Sequence, residues 1–165
     1  MNQLYAEAGV KRKETMASLA LRTLLVIGIV VGVMLLFLGG LYGILGVAIV
    51  VVMVLLFPRL NLEFEYVFVD GQIDFDRIMG KTKRKTLLRI DMEQVEIIAP
   101  VGSHALDGYT HIQLEKKDFS SGDKNIKPYI IIVKKGEQKL RIAFEPNEKM
   151  LAMIKQKSPR KIAQY

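Results

Sequence analysis

The residues best suited to chemistry by type are two histidines and a carboxylate in a polar stretch. His104, Asp107 and His111 have the side chains of a metal site or of an acid/base pair. Their spacing, H-x2-D-x3-H, runs from a predicted loop into a predicted strand and not along one helical face. No fourth ligand is indicated, and two histidines in a polar loop are more often surface residues. The pattern therefore favours neither a metal site nor a catalytic pair, and a hydrolase or metal-binding enzyme that uses His104 and His111 is the least favoured alternative.

A second candidate is the carboxylate pair of the stretch IDFDR, Asp74 and Asp76, which Arg77 follows. Strand alternation places both aspartates on the face opposite Ile73 and Phe75. General acid–base catalysis needs a cleft that separates two pKa values, and none is indicated, so cross-strand ion pairs are expected. The chain also lacks cysteine, a glycine-rich phosphate loop and a G-x-S-x-G motif. We therefore expect a protein that is not an enzyme and that has no metal or cofactor.

The densest run of charge is KTKRK, which contains Lys81, Lys83, Arg84 and Lys85. In an extended segment the three lysines share one side. Near an anionic inner leaflet each cation contributes about 1 kcal/mol of attraction, so this cluster is a candidate contact for anionic lipid headgroups or a protein partner. A solvated hairpin turn explains the same residues without a ligand, and both interpretations stay open. The chain has a net charge of +7, but its soluble part contains both basic and acidic residues. A nucleic-acid partner is therefore not expected.

These residues must be positioned by a chain that contains a long apolar stretch, Leu24 to Phe57, with 34 consecutive uncharged residues. About 20 apolar residues cross the roughly 30 Å of hydrocarbon in a membrane, and one helix of this length would reach about 50 Å. The Gly39-Gly40 pair predicts two spans, about 18–38 and 41–57, turned at 39–40. We expect a transmembrane helical hairpin at 18–58, after a basic N-terminal arm at 1–17 that is frayed or interfacial before the helix.

Basic residues flank both outer ends of this hairpin, whereas the turn carries no charge. The flanking residues are Lys11, Arg12, Lys13, Arg22 and Arg59. The positive-inside rule then predicts a multi-pass protein of the cytoplasmic membrane with both termini in the cytoplasm. No Asp, Glu, Lys, Arg or His lies inside the apolar stretch, so a transport pathway is not indicated.

Glycines recur through the spans at Gly28, Gly32, Gly39, Gly43 and Gly46. The pairs 28/32 and 39/43 have GxxxG spacing, which lets helix backbones approach closely. They would pack the two spans of one chain together, or else pack copies into a homo-oligomer. In the second case the function would belong to an oligomeric membrane-embedded assembly.

The remaining residues, 59–165, change to strand-like alternation. Asp70-Gly71 predicts a type I′ hairpin turn between the strands LEFEYVFV and QIDFDRIM. Further strands are predicted at about 85–90, 95–99, 109–114, 129–133 and 140–144, with an exposed connection at 115–127. A C-terminal helix from about Pro146 to Lys157 follows. About seven strands and one helix predict an antiparallel β-barrel, or else a bent sheet, with the helix covering one open end, giving an α+β membrane protein.

This order resembles the pleckstrin-homology-like fold in its bacterial, membrane-anchored form, through the EYVFVDGQIDF hairpin, the RIDMEQVEII segment and the terminal helix. Most of the chain also resembles a family of small two-span membrane proteins of Gram-positive bacteria. The stretches VKRKET, LNLEFEYVFVDGQIDFDRIMGKTKRK and IDMEQVEIIAPVGS carry that resemblance. The resemblance implies a cytosolic binding or scaffolding domain at 59–165. We therefore expect a membrane-anchored, non-catalytic adaptor that contacts a protein partner or the inner leaflet.

Overall fold

The computed structural model describes residues 4–57, 62–79 and 83–163. The chain divides into two compact units. One unit contains a pair of helices and comprises residues 13–62 with 79–83. The other is rich in strands and comprises residues 1–12, 63–78 and 84–165.

The helical unit consists of α1 (Met16–Leu38) and α2 (Gly40–Leu56). Thr15 caps α1, since its hydroxyl accepts a hydrogen bond from the Ser18 amide at 3.2 Å and Ser18 bonds back to the Thr15 amide. Gly39 separates the helices with a φ of +68°, which a residue with a Cβ adopts at a cost. Among the described helices, α1 alone is long and apolar enough by itself to cross a membrane. The second helix is also apolar but has only 17 residues.

Glycines let the two helices pack closely. A Cβ built on Gly46 would lie 2.5 Å from the carbonyl oxygen of Gly32, and one on Gly32 would lie 2.7 Å from Val50. Gly28 faces Met53 in the same way, at 3.1 Å. The partner in α2 moves from Met53 to Val50 as the glycine in α1 moves from 28 to 32, so the helices are antiparallel.

The N-terminal segment is a strand, β1 (Tyr5–Lys11), which pairs antiparallel with β2 (Leu62–Val69) from Tyr5↔Val69 to Lys11↔Glu63. The prediction of a frayed or interfacial arm is wrong over this range. The signal was weak because the inward side chains include the small Ala6 and Ala8, and alanine has low strand propensity. Pairing with β2, more than 50 residues later, supplies what the local sequence lacks.

The first sheet has the order β1-β2-β3-β4, where β3 is Gln72–Met79 and β4 is Lys83–Asp91. The β2–β3 turn has positive φ at Asp70 (47°) and Gly71 (106°), as a type I′ turn requires. Alternate residues of β2 and β3 are buried, as the hydrophobic pattern predicts, and Phe64, Tyr66 and Phe75 lie in the core.

The second sheet contains β5 (Val95–Pro100), β6 (Glu115–Asp118), β7 (Tyr129–Lys135) and β8 (Gln138–Phe144), in the order β5-β7-β8-β6. Two local predictions are wrong. Residues 115–118 form β6, parallel to β8, within the predicted connection. Residues 109–114 are not a strand, because Tyr109 ends a 3-10 helix, His104–Tyr109, and turns follow it.

Over the residues that the structure describes, the strands form two separate four-stranded sheets, so the predicted β-barrel is also wrong. Alternation specifies which face of a strand is buried but not which edges pair, and two sheets packed face to face bury the same side chains. The sheets meet through aromatic rings: the centroids of Tyr66 and Phe144 lie 5.6 Å apart, and those of Phe75 and Phe144 lie 6.0 Å apart. The described part of the chain thus has eight strands instead of about seven.

The C-terminal helix, α3 (Glu148–Lys157), lies close to its predicted range and buries Met150 and Ile154 completely. Asn147 caps it by accepting a hydrogen bond from the Met150 amide at 2.8 Å. The amide nitrogen of the same side chain donates to the carbonyl oxygen of Glu7 at 2.8 Å. Asn147 therefore links the start of α3 to the edge strand β1.

Candidate functional site

The predicted basic cluster lies at the start of β4, and its members have different environments. Lys83 and Lys85 are exposed, whereas Lys81 lies outside the described residues. The Arg84 Nε lies 3.0 Å from Asp76 Oδ2, and the same guanidinium also contacts Glu65. All three described cations of this cluster are exposed, and of these three Arg84 is the one held in ion pairs.

The aspartate pair of β3 is used in ion pairs. Asp76 is buried beside Arg84. Asp74 accepts two hydrogen bonds from Arg89, at 2.7 Å and 2.6 Å, and this bidentate contact raises the pKa of the guanidinium. Arg77 is half-buried on the same strand. Both aspartates therefore take part in the predicted cross-strand ion pairs.

The histidine stretch forms only a surface contact. His104 Nδ1 lies 3.1 Å from Asp107 Oδ2, and the His104 side chain is fully exposed. His111 is exposed in the turn that follows. Over residues 4–57, 62–79 and 83–163, no three His, Cys, Asp or Glu side chains form a group that could hold a metal ion.

The residues predicted to flank the membrane also have neighbours in the structure. Lys11 pairs with Glu63 across the β1–β2 ladder. The Arg12 guanidinium lies 3.7 Å from Asp118 and 5.9 Å from the centroid of the Phe64 ring. The remaining flanking residues are less informative: Arg22 contacts Glu14, Lys13 lies between β1 and α1, and Arg59 lies outside the described residues.

The predicted packing glycines have three kinds of surroundings. Gly28, Gly32 and Gly46 lie at the contact between α1 and α2. Gly43 has only an ordinary contact, at 3.8 Å, with the carbonyl oxygen of Leu36. A Cβ added to Gly39, in the turn, would meet none of the described atoms within 4 Å.

A cleft of about 590 Å³ lies on the face of the second sheet that points away from the aromatic core. Its floor is a cross-strand row on β7, β8 and β6: Ile132 is opposite Arg141, and Arg141 is opposite Lys116. Ile132 is buried, Arg141 is half-buried and Lys116 is exposed. Within the described part of the chain, neither cation has a hydrogen-bonded or ion-paired partner.

The wall of the cleft is the segment from Gly102 to Leu114, which includes the 3-10 helix. The Ser103 hydroxyl caps this helix by accepting a hydrogen bond from the Ala105 amide at 3.3 Å. Leu106, Ile112 and Leu114 supply apolar surface to the cleft.

Tyr109 anchors this wall to the sheet. Its ring lies under Lys139, with the ammonium 5.5 Å from the centroid, and Lys139 Nζ lies 2.9 Å from Glu96. Hydrogen bonding from Lys139 lowers the pKa of Glu96, while burial and then a hydrogen bond to Glu96 raise the pKa of Tyr109. The three side chains therefore hold the wall in place beside the floor.

Arg141 and Lys116 were not among the predicted site residues. Arg141 had a detectable signal, because alternation in LRIAF puts it on the face opposite Leu140 and Ile142. Lys116 has none, since the EKKD stretch carries no apolar residue and its composition predicts an exposed connection. Their proximity depends on a parallel pairing between strands that are distant in sequence.

The family profile described as bacterial PH-like domain (DUF6106) matches residues 2–164, so the chain belongs to that family. This confirms the predicted pleckstrin-homology-like resemblance. A comparison with curated proteins gives no match, and a comparison with solved structures gives none either.

Proposed function

We propose that this member of the bacterial PH-like family is a membrane-anchored, non-catalytic binding module. Its helix pair crosses the cytoplasmic membrane twice, and its strand-rich unit binds a partner on the cytoplasmic side. The observation that carries the anchoring is the exposure of large apolar side chains on α1 and α2. Phe37 is 87% exposed, Leu41 79% and Ile44 70%. A helix that is apolar on all sides needs an apolar environment, and the two-helix contact covers only one side of each.

The strand pairing supports an even number of crossings. The β1 strand precedes α1 and β2 follows α2, yet the two strands pair along their whole length, with Lys11 opposite Glu63. A single crossing would put these strands on opposite sides of the bilayer and break that ladder. Two crossings keep both ends of the helix pair on one side. The basic residues near those ends then favour the cytoplasmic side.

Two surfaces are available to a partner in the strand-rich unit: the exposed Lys85 on β4 and the cleft floored by Arg141. The carboxylates that could have acted as acids or bases, Asp74 and Asp76, are held by arginines. PH-like domains generally bind and do not catalyse, so an adaptor role accords with the family. The partner would be either a protein or the inner leaflet of the membrane.

The contacts within the helix pair favour an anchor over an oligomeric membrane assembly. Gly32 and Gly46 approach each other within one chain, so this close-packing surface is already occupied. Homo-oligomerisation would have to use a different surface of the helices.

Extraction of bacterial membranes tests the anchoring. We expect the full-length protein to stay in the membrane pellet through an alkaline carbonate wash. Val31→Asp and Val47→Asp each place a carboxylate near the middle of one span. Each change should cost about 3 kcal/mol in the bilayer and release the protein. Lys124→Asp introduces the same side chain at an exposed position outside the helices. It is the control and should leave the protein in the pellet. Release of the unaltered chain by carbonate would contradict the proposal.

A further inference from the structure

We propose that the cleft on the second sheet binds a small organic phosphate. Arg141 and Lys116 would contact the phosphate oxygens, and Ile112 and Leu114 would contact the apolar body that carries the phosphate. The inference rests on the proposed binding role of the domain, but not on its anchoring in a membrane.

The strongest support is the pairing of two cations in the floor. Arg141 and Lys116 are directly opposite each other on neighbouring strands and on the same face. Like charges in that relation destabilise a sheet, and no carboxylate among the described residues pairs with either one. Asp107 also lines the cleft, but its side chain is 70% exposed and lies against His104. A bound anion would remove the repulsion between the two cations.

The kind of anion follows from the donors. Guanidinium offers paired N–H groups that match the oxygens of a phosphate, and an ammonium adds a compact charge. Ser103 and Gln113 add further polar atoms to the lining. The Ser103 hydroxyl oxygen accepts from the Ala105 amide, so its hydrogen remains able to donate.

The size and lining of the cleft favour a small molecule over a peptide. The cleft volume, about 590 Å³, lies within the usual range of roughly 300–1,000 Å³ for small-molecule sites. Such sites combine apolar surface with a few polar groups. Leu106, Ile112 and Leu114 provide that apolar surface. The neighbouring edge strand β6 has only four residues, so it offers little backbone for an added peptide strand.

Calorimetric titration of the full-length protein in phosphatidylcholine nanodiscs tests the proposal, with phenyl phosphate as the probe. We expect saturable binding at one site, weakened about 10- to 100-fold by Arg141→Gln through loss of charged hydrogen bonds. Lys116→Gln should weaken binding in the same direction, and its exposed position leaves the fold intact. Arg160→Gln makes the same chemical change at an exposed arginine outside the cleft and should leave binding unchanged.

Two further titrations refine the ligand. Inorganic phosphate should bind more weakly than phenyl phosphate, because it lacks the apolar body. Nanodiscs that contain phosphatidic acid distinguish the source: competition with phenyl phosphate indicates a lipid headgroup, and its absence indicates a soluble phosphate.

Three results would overturn the inference: no saturable binding of phenyl phosphate, equal weakening by Arg160→Gln, or tighter Arg141-dependent binding of a glutamate-rich peptide. Such a failure is distinguishable from a failure of the anchoring, because resistance to carbonate extraction is measured separately.

Discussion

Replacing Gly46 by alanine should separate α1 and α2, and the structure gives a matched control for this change. The added Cβ would lie 2.5 Å from the Gly32 carbonyl oxygen, whereas ordinary contacts begin at 3.4 Å. Because the obstacle is backbone, no side-chain rotation relieves it, and the helices must move apart by most of that difference. Overpacking of this kind typically costs about 1–3 kcal/mol. Gly43→Ala adds the same methyl group at 3.8 Å from its neighbour, so it should be neutral or mildly stabilising.

The assay uses the absence of cysteine from the chain. Cysteines introduced at Leu24 and Leu56, which the antiparallel packing brings to the same end, can carry pyrene labels whose excimer emission reports helix proximity. Titration of the micelle-bound protein with dodecyl sulfate should lose excimer emission earlier for Gly46→Ala than for Gly43→Ala. The reverse order would refute the packing argument, and it would favour the alternative in which the Gly39/Gly43 motif joins separate chains.

Three further predictions concern the strand-rich unit. Asn147→Ala should lower the free energy of unfolding by about 1–2 kcal/mol through loss of the α3 cap, and an unchanged thermal midpoint would contradict that role. Hydrogen bonding from Lys139 lowers the pKa of Glu96, so the ionised Glu96 stabilises the fold above its ordinary pKa of 4.5, and this contribution is lost as the pH falls through the folded value. The thermal midpoint of Glu96→Gln should therefore lie below that of the unaltered protein at neutral pH and converge with it in acid; a pH-independent difference would contradict this. Arg84→Gln should destabilise the fold, since it strips two carboxylates of their partner, whereas Lys85→Gln should not, and equal midpoints for the two variants would contradict the ion pairing.

The sequence predicted well those elements whose local signal and tertiary role agree. The β2–β3 hairpin combines alternation with an Asp-Gly turn, and both residues of that turn have the positive φ that it requires. The C-terminal helix has an apolar face that meets the core through Met150 and Ile154. In both elements, the same short segment of sequence specifies the backbone conformation and the apolar face that the fold buries.

The elements that the sequence did not predict depend on distant partners. The β1 strand buries small side chains such as Ala6 and Ala8, and β6 is the wholly polar EKKD, so neither shows strong alternation of large apolar residues. The candidate cleft shares this limit. Arg141 and Lys116 meet only because β6 and β8 pair in parallel, and no spacing within the chain encodes that pairing.

Labelling of single cysteines in intact bacterial cells tests the central claim, that two crossings anchor a cytoplasmic binding unit. Leu41→Cys lies beside the turn between the helices, and Lys124→Cys lies on the strand-rich unit; both positions are exposed. With a membrane-impermeant maleimide, we predict that Leu41→Cys reacts in intact cells and that Lys124→Cys reacts only after the cells are opened. Reaction of Lys124→Cys in intact cells would contradict the account.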